Sequence, residues 1–277
     1  MNIIEIQSLS KSYGKSRGII DVSFAVGKGE LFGFIGPNGA GKSTTIRSLL
    51  GYIRPDSGSA TIFGMDTRIN TVAIKRRTGY LPAEVYFTDN RKARDVLKYT
   101  ASFYQGDLKG RIEELADRLN LDLNKKVDDF SLGNKKKVAI IQALMHRPDL
   151  LILDEPTSGL DPLMQNEFFR IIEEERARGT TVLLSSHVLS EVQRHCDRVA
   201  VIRDGRILFV KPVGELTGQR VKRVTAINRA GIANEYVFDG EINELTGKLV
   251  QEDLSDLLIE ELPLEDVFLK FYKKEGA

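Results

Sequence analysis

Short, dense apolar runs punctuate this chain, and each ends on residues able to do chemistry. Leu31–Ile35 runs straight into a glycine-rich turn, Leu150–Leu153 stops at Asp154-Glu155, and Thr181–Ser186 stops at His187. Runs of this length read as buried strands. Ile3–Gln7 alternates and reads as an edge strand, with further strands at Ser59–Phe63, Gly79–Pro82 and Arg198–Arg203. A helix is predicted from Ser43 to about Leu50, ended by Gly51 and Arg54-Pro55. Between about Arg94 and His146 the period lengthens: Val96, Leu97, Thr100 and Phe103 share one helix face, and Ile112, Leu115, Ala116 and Leu119 another. Strand–helix alternation interrupted by a helical block predicts an α/β fold, with a mainly parallel sheet, helices on both faces and an inserted helical subdomain. Beyond Lys211-Pro212 the pattern changes again. Val221–Ile227 and Glu235–Phe238 read as strands, and Pro263 opens a last helix with Leu264, Val267, Phe268, Phe271 and Tyr272 on one face. The expected division is a main domain over residues 1–215, its helical insertion at about 85–148, and an α+β accessory domain over 216–277.

Composition narrows the classes of function. The chain has 277 residues, enough for a full α/β core, and its 40 basic and 39 acidic residues leave a formal net charge of +1. That balance gives no general nucleic-acid surface. The run Lys135-Lys136-Lys137 reads as a solvated helix face, and so does Glu173-Glu174-Glu175 with local pairing to Arg176 and Arg178. One cysteine, Cys196, excludes an internal disulfide framework and fits a reducing compartment. His146 and His195 lack metal-ligand spacing with it. No run reaches the roughly 18–20 apolar residues that span a bilayer, and Met1-Asn2-Ile3-Ile4-Glu5 does not read as a signal peptide. Action at a membrane therefore calls for a partner rather than direct insertion.

Two segments carry chemistry. Gly36-Pro37-Asn38-Gly39-Ala40-Gly41-Lys42-Ser43-Thr44 fills every fixed position of a P-loop, between an apolar strand and a helix. Its glycines let backbone N–H groups wrap a phosphate chain, and the helix N-terminus faces the same charge. Lys42 is expected on the β- and γ-phosphates of ATP, and the Ser43 hydroxyl on Mg²⁺. The strand Leu150–Leu153 delivers two acids to an apolar setting. Asp154 is the candidate Mg²⁺ partner and Glu155 the candidate base for an attacking water.

These two motifs occur in many P-loop proteins; their neighbours narrow the field. Phe130-Ser131-Leu132-Gly133-Asn134 upstream of the acids resembles the signature of ABC ATPases, and the whole run from Leu150 to Pro162, with Ser158-Gly159-Leu160-Asp161 directly after Glu155-Pro156-Thr157, resembles their Walker B and D-loop. His187 is similar to the family's switch histidine, and Tyr13 in Lys11-Ser12-Tyr13-Gly14 to its adenine-stacking aromatic. The resemblance covers about residues 3–215. It implies a P-loop NTPase (RecA-like) core with an antiparallel β edge, and two ATP-binding subunits, alike or different, paired head to tail. Ser131, Gly133 and Asn134 then act in trans on the γ-phosphate and His187 in cis. It also implies an integral membrane permease as partner, docked beside Glu84–Lys98 at the cytoplasmic face. The order of motifs and the tail Leu264–Leu269 most resemble ABC-2-type exporters of drugs and antibiotic peptides. The alternative is a non-transport ABC ATPase with a regulatory or assembly role. Ribosome-acting members usually carry two cassettes and DNA-repair members long coiled-coil insertions, and neither pattern is present. The sequence departs from the family at Ala83, where a glutamine is expected; Glu84 or water alone is expected to substitute. Leu132 and Asn134 replace a glycine and a glutamine of the signature.

Overall fold

The computed structural model describes residues 1–14, 16–87, 90–217, 221–250 and 252–261. The chain begins with two long strands, β1 (Asn2–Tyr13) and β2 (Ser16–Gly27), followed by β3 (Leu31–Ile35) and helix α1 (Lys42–Leu49). Next come β4 (Ser57–Ile62), β5 (Met65–Asp66), α2 (Thr71–Arg76) and β6 (Thr78–Leu81). The helical block holds α3 (Ala93–Ala101), α4 (Lys109–Arg118) and α5 (Leu132–Leu144). Alternation resumes with β7 (Leu150–Asp154), α6 (Pro162–Ala177), β8 (Thr181–Ser186), α7 (Leu189–His195), β9 (Arg198–Arg203) and β10 (Arg206–Pro212). The described chain ends with α8 (Val213–Thr217), β11 (Val221–Asn228), β12 (Ala233–Asp239), α9 (Ile242–Leu249) and β13 (Leu254–Glu261). The helix expected from Pro263 lies outside the described residues.

The chain divides into two compact units, Met1–His187 with Arg198–Val210, and Val188–Asp197 with Lys211–Ala277. In the first unit six strands form a sheet in the order β10-β9-β3-β8-β7-β6. β3 runs parallel to both β8 and β9, and β7 parallel to both β6 and β8. Every residue of β3, β7 and β8 is buried, as for strands covered on both faces. β9 turns into β10 through Asp204-Gly205, both in the left-handed region at φ 49° and 79°, which suits a tight hairpin turn.

A second sheet, β2-β1-β4-β5, is antiparallel. It corrects the edge reading of Ile3–Gln7, because β1 lies between β2 and β4. Alternation along Ile4, Ile6 and Leu9 reports which face of the strand is buried; it carries no information on how many neighbours the strand has. The buried faces of β1, β2 and β4 join Phe32, Phe34 and Ile152 of the parallel sheet in one apolar core with Ile46 and Leu49 of α1. Phe24 stacks on Phe32 with centroids 5.3 Å apart. The second unit has its own three-stranded antiparallel sheet, β12-β11-β13. Leu245 and Leu249 of α9 pack with Val224, Ala226 and Phe238 in a small separate core.

Each of the two charge runs read as a solvated face has members that are buried instead. Lys136 and Lys137 are buried in α5. Glu175 of α6 is buried too, bonded to Arg111 of α4 at 2.5 Å and to Arg178 at 2.7 Å. Arg118, one helix face along from Arg111, holds Glu167 at 2.6 Å and Glu174 at 2.5 Å. This ionic seam fastens α4 of the helical block to α6, alongside the local pairs expected from spacing.

Candidate active site

Strand order brings the three chemical segments together. β3, β8 and β7 are consecutive neighbours, with Ile35 opposite Ser186 and Asp154 opposite Ser185. Their carboxyl ends therefore place the glycine-rich turn, His187 and Asp154-Glu155 side by side, where parallel sheets bind ligands.

The turn after β3 is built by close approach. A Cβ on Gly36 would lie 2.3 Å from the Ile202 carbonyl oxygen, so only glycine lets β9 pack there. Gly41 caps α1 at φ 111°, and a Cβ on it would meet Ile19 of β2 at 2.7 Å. The antiparallel hairpin that carries Tyr13 is thereby seated against the P-loop. Tyr13 itself is half exposed at the end of β1, with the Lys11 ammonium 5.9 Å from its ring. Pro37, Asn38 and Gly39 form the outer turn, exposed to solvent. Ala40 packs in the core below and its carbonyl accepts from Gly205 N–H at 3.0 Å. Ser43 and Thr44 follow Lys42 in the first turn of α1.

Lys42 is buried, and its ammonium donates to the Gly36 carbonyl at 2.6 Å. It also lies 3.3 Å from Glu155 Oε1. The other Glu155 oxygen pairs with His187 Nδ1 at 2.6 Å, so the imidazole presents Nδ1–H to the carboxylate. Lys42, Glu155 and His187 thus form one chain of contacts. Sequence reasoning assigned all three but did not foresee that the histidine would hold the glutamate. Glu155 Oε1 is buried and accepts no hydrogen bond among the described residues. Glu155 also adopts a left-handed backbone at φ 49°, uncommon for a residue with a side chain. Asp154 is buried, and its Oδ1 accepts from the Ser185 hydroxyl at 2.9 Å. Ser43 and Asp154 offer a hydroxyl and a carboxylate, hard oxygen donors that fit Mg²⁺ completed by phosphate and water.

The signature segment starts α5. Ser131 is its N-cap, with Oγ accepting from Asn134 N–H at 3.4 Å. A Cβ on Gly133 would lie 2.6 Å from the Gly159 carbonyl oxygen, so this helix end rests directly on the D-loop. Among the described residues no hydrogen bond or ion pair joins Ser131, Gly133 or Asn134 to Lys42 or Glu155 of the same chain.

Lys136, read from the sequence as part of a solvated face, is instead buried beside the site. One turn into α5, its ammonium donates to the carbonyls of Pro82, Ala83 and Glu155, each at 3.0 Å. Burial pulls its pKa down to about 8, against the pull of Asp154 and Glu155. Glu84 is exposed and its carboxylate accepts from the Tyr86 hydroxyl at 2.8 Å. Burial, with Asp154 nearby, pushes the Tyr80 phenol up to about 12. His146 stacks on Tyr104 at 3.9 Å, and burial lowers it to about 4, which keeps it neutral. Among the described residues no helix is long and apolar enough to cross a membrane.

Comparison with known proteins agrees with this arrangement. Residues 19–158 match the ABC transporter family model. The chain is 38% identical over 244 residues to the bacitracin transport ATP-binding protein BcrA of Bacillus licheniformis, covering 86% of this chain and 80% of that one. It is 35% identical over 213 residues to the linearmycin resistance ATP-binding protein LnrL of Bacillus subtilis, covering 75% and 68%. A solved ATP-binding subunit of an ABC transporter superposes with a TM-score of 0.74 at 29% identity, covering 90% of this chain and 99% of that chain. The P-loop, the paired acids and these matches together establish that this chain belongs to the ABC transporter family, as one of its ATP-binding, ATP-hydrolysing subunits.

Proposed function

We propose that this chain is the motor of an exporter, closing head to tail with a second ATP-binding subunit on two molecules of ATP. The observation that carries this reading is the contact chain Lys42–Glu155–His187 at the carboxyl ends of three adjacent parallel strands. Lys42 and the P-loop N–H groups hold the phosphates, with Tyr13 against the adenine. Ser43 and Asp154 hold Mg²⁺, which supplies charge neutralisation on the phosphates. Glu155 takes a proton from the attacking water, and its buried Oε1 is the acceptor on offer. His187 steadies that carboxylate through Nδ1 and reaches the γ-phosphate in cis.

Ser131, Gly133 and Asn134 make no hydrogen bond to their own chain's lysine among the described residues, which supports a role on the partner's γ-phosphate. Their N-capped helix start suits that anion. Hydrolysis removes the shared charge and lets the pair open. A membrane permease turns that motion into transport at the cytoplasmic face. Exposed Tyr86, Tyr99 and Phe103 beside Glu84–Lys98 support docking there. The names of the relatives, bacitracin transport and linearmycin resistance, support a drug or antibiotic peptide as cargo.

The test is Glu155→Gln in Mg-ATP. A stable dimer with turnover lost supports the mechanism. A variant that stays monomeric and still hydrolyses ATP removes Glu155 from its role. Crosslinking from Phe87 to the permease tests the docking site, and its absence in the intact complex excludes that groove.

A further inference from the structure

We infer that Lys136 is a positioning residue for hydrolysis, holding the Glu155 turn and the Pro82-Ala83 segment in one working arrangement. The inference deepens the reading of Glu155 as the base and rests on it.

Three observations converge. The first is geometric: a single buried ammonium donates to three backbone carbonyls from two separate segments, Pro82, Ala83 and Glu155, at 3.0 Å each. Three donors meet three acceptors, which is the full capacity of a lysine. The second is conformational. Glu155 sits at φ 49°, a backbone state that costs free energy for a residue with a side chain and persists only where its surroundings impose it. The bond from Lys136 to the Glu155 carbonyl is one of those constraints. Another is the bond from Glu155 N–H to the Ser185 carbonyl at 3.0 Å. Together they fix the peptide on either side of the carboxylate-bearing Cα.

The third concerns Ala83. Its methyl side chain offers no donor or acceptor to a metal or a water, yet its carbonyl is tied through Lys136 to the residue that bears the base. The segment at residues 82–83 is thus joined to the Glu155 turn by a lysine from α5. Because α5 begins at Ser131–Asn134, the same helix joins the segment offered to a partner's nucleotide with the base that serves its own. A shift of α5 on closure would therefore reach Glu155 through one side chain.

The experiment compares Lys136→Met, Lys136→Gln and Glu155→Gln with the parent protein, in the assembled transporter with Mg-ATP. Met keeps the length of the stem and removes every donor; Gln restores a neutral two-donor amide. A charge-assisted hydrogen bond is worth enough to predict a fall in kcat of about 10–100-fold for Lys136→Met. KM and the affinity for a fluorescent ATP analogue are expected to stay within about threefold, because no phosphate contact is lost. Lys136→Gln is expected to recover part of kcat at unchanged KM. A purely structural role would instead lower melting temperature, affinity and kcat together. The inference is overturned if Lys136→Met keeps kcat within about threefold of the parent, if affinity falls in parallel with kcat, or if Gln and Met lose kcat equally. If Lys136→Met does not fold, Lys136→Gln decides alone: a reduced kcat at constant KM supports the inference and an unchanged kcat overturns it. Loss of turnover in Glu155→Gln without loss in the Lys136 variants refutes only the positioning role. Retained turnover in Glu155→Gln refutes the base itself.

Discussion

Removing the Glu175 carboxylate tests what holds the helical block to α6. Glu175 and Arg111 are both buried, 2.5 Å apart, and Glu175 also takes Arg178 at 2.7 Å. Truncating one partner of such a pair leaves a desolvated charge and typically costs about 3–5 kcal/mol. Arg111 keeps a second partner, Glu114 at 2.6 Å, but that carboxylate is largely in water and compensates only in part. Glu175→Ala is therefore expected near the lower end, at about 3 kcal/mol. For a domain of this size that corresponds to roughly 6–12 °C in melting temperature. The reverse of the argument is sharper. Replacing both partners with apolar residues, Arg111→Met with Glu175→Leu, removes the stranded charge and is expected to recover most of the loss, because desolvating two ions offsets much of their attraction. Calorimetry of the two single variants, the double variant and the exposed control Glu173→Ala decides it. The reasoning is refuted if Glu175→Ala melts with Glu173→Ala, or if the double variant is less stable than either single one.

Two further predictions concern the P-loop and pH. Gly36→Ala places a methyl against the Ile202 backbone, so ATP-analogue binding is expected to fall at least about tenfold while the fold persists; near-parental affinity would show that β9 yields. Arg111 and Arg118 hold Glu114 and Glu174 below the ordinary carboxylate range, chiefly through hydrogen bonds. A depressed carboxylate contributes stability above its unfolded pKa of about 4.3 and loses it as pH falls through its folded value. Melting temperature is thus expected to drop on acidification below about pH 4.3, and Arg118→Met should flatten that drop. A slope unchanged by Arg118→Met would locate the acid sensitivity elsewhere.

Much of this was readable from residues alone because it is local. The P-loop, the acids after an apolar strand and the histidine after another are each specified by a few adjacent positions, and the parallel sheet follows from their alternation with helices. What escaped was set by tertiary partners. Nothing near Lys136 in sequence says that its stem is covered and that carbonyls from residues 82, 83 and 155 await it; composition favours a wet lysine, and its three acceptors come from other elements. Glu175 is the same case, since its partner lies 64 positions away in α4. The interior place of β1 depended on β2 and β4, which no pattern within β1 encodes.

The contact between Gly133 and the Gly159 carbonyl has a consequence for mixed populations of this protein. A methyl group on Gly133 would collide with the Gly159 carbonyl, and Gly159 itself holds a left-handed φ of 81° that side chains disfavour. Under the head-to-tail pairing proposed above, a chain altered at either glycine would keep its own P-loop, base and histidine, yet present a misshapen surface to the nucleotide held by its companion. In a head-to-tail pair the damage then appears in the intact subunit. Where the proposed pair is two copies of this chain, a mixed pool of altered and unaltered chains would lose function in more complexes than the altered chain's share of the pool.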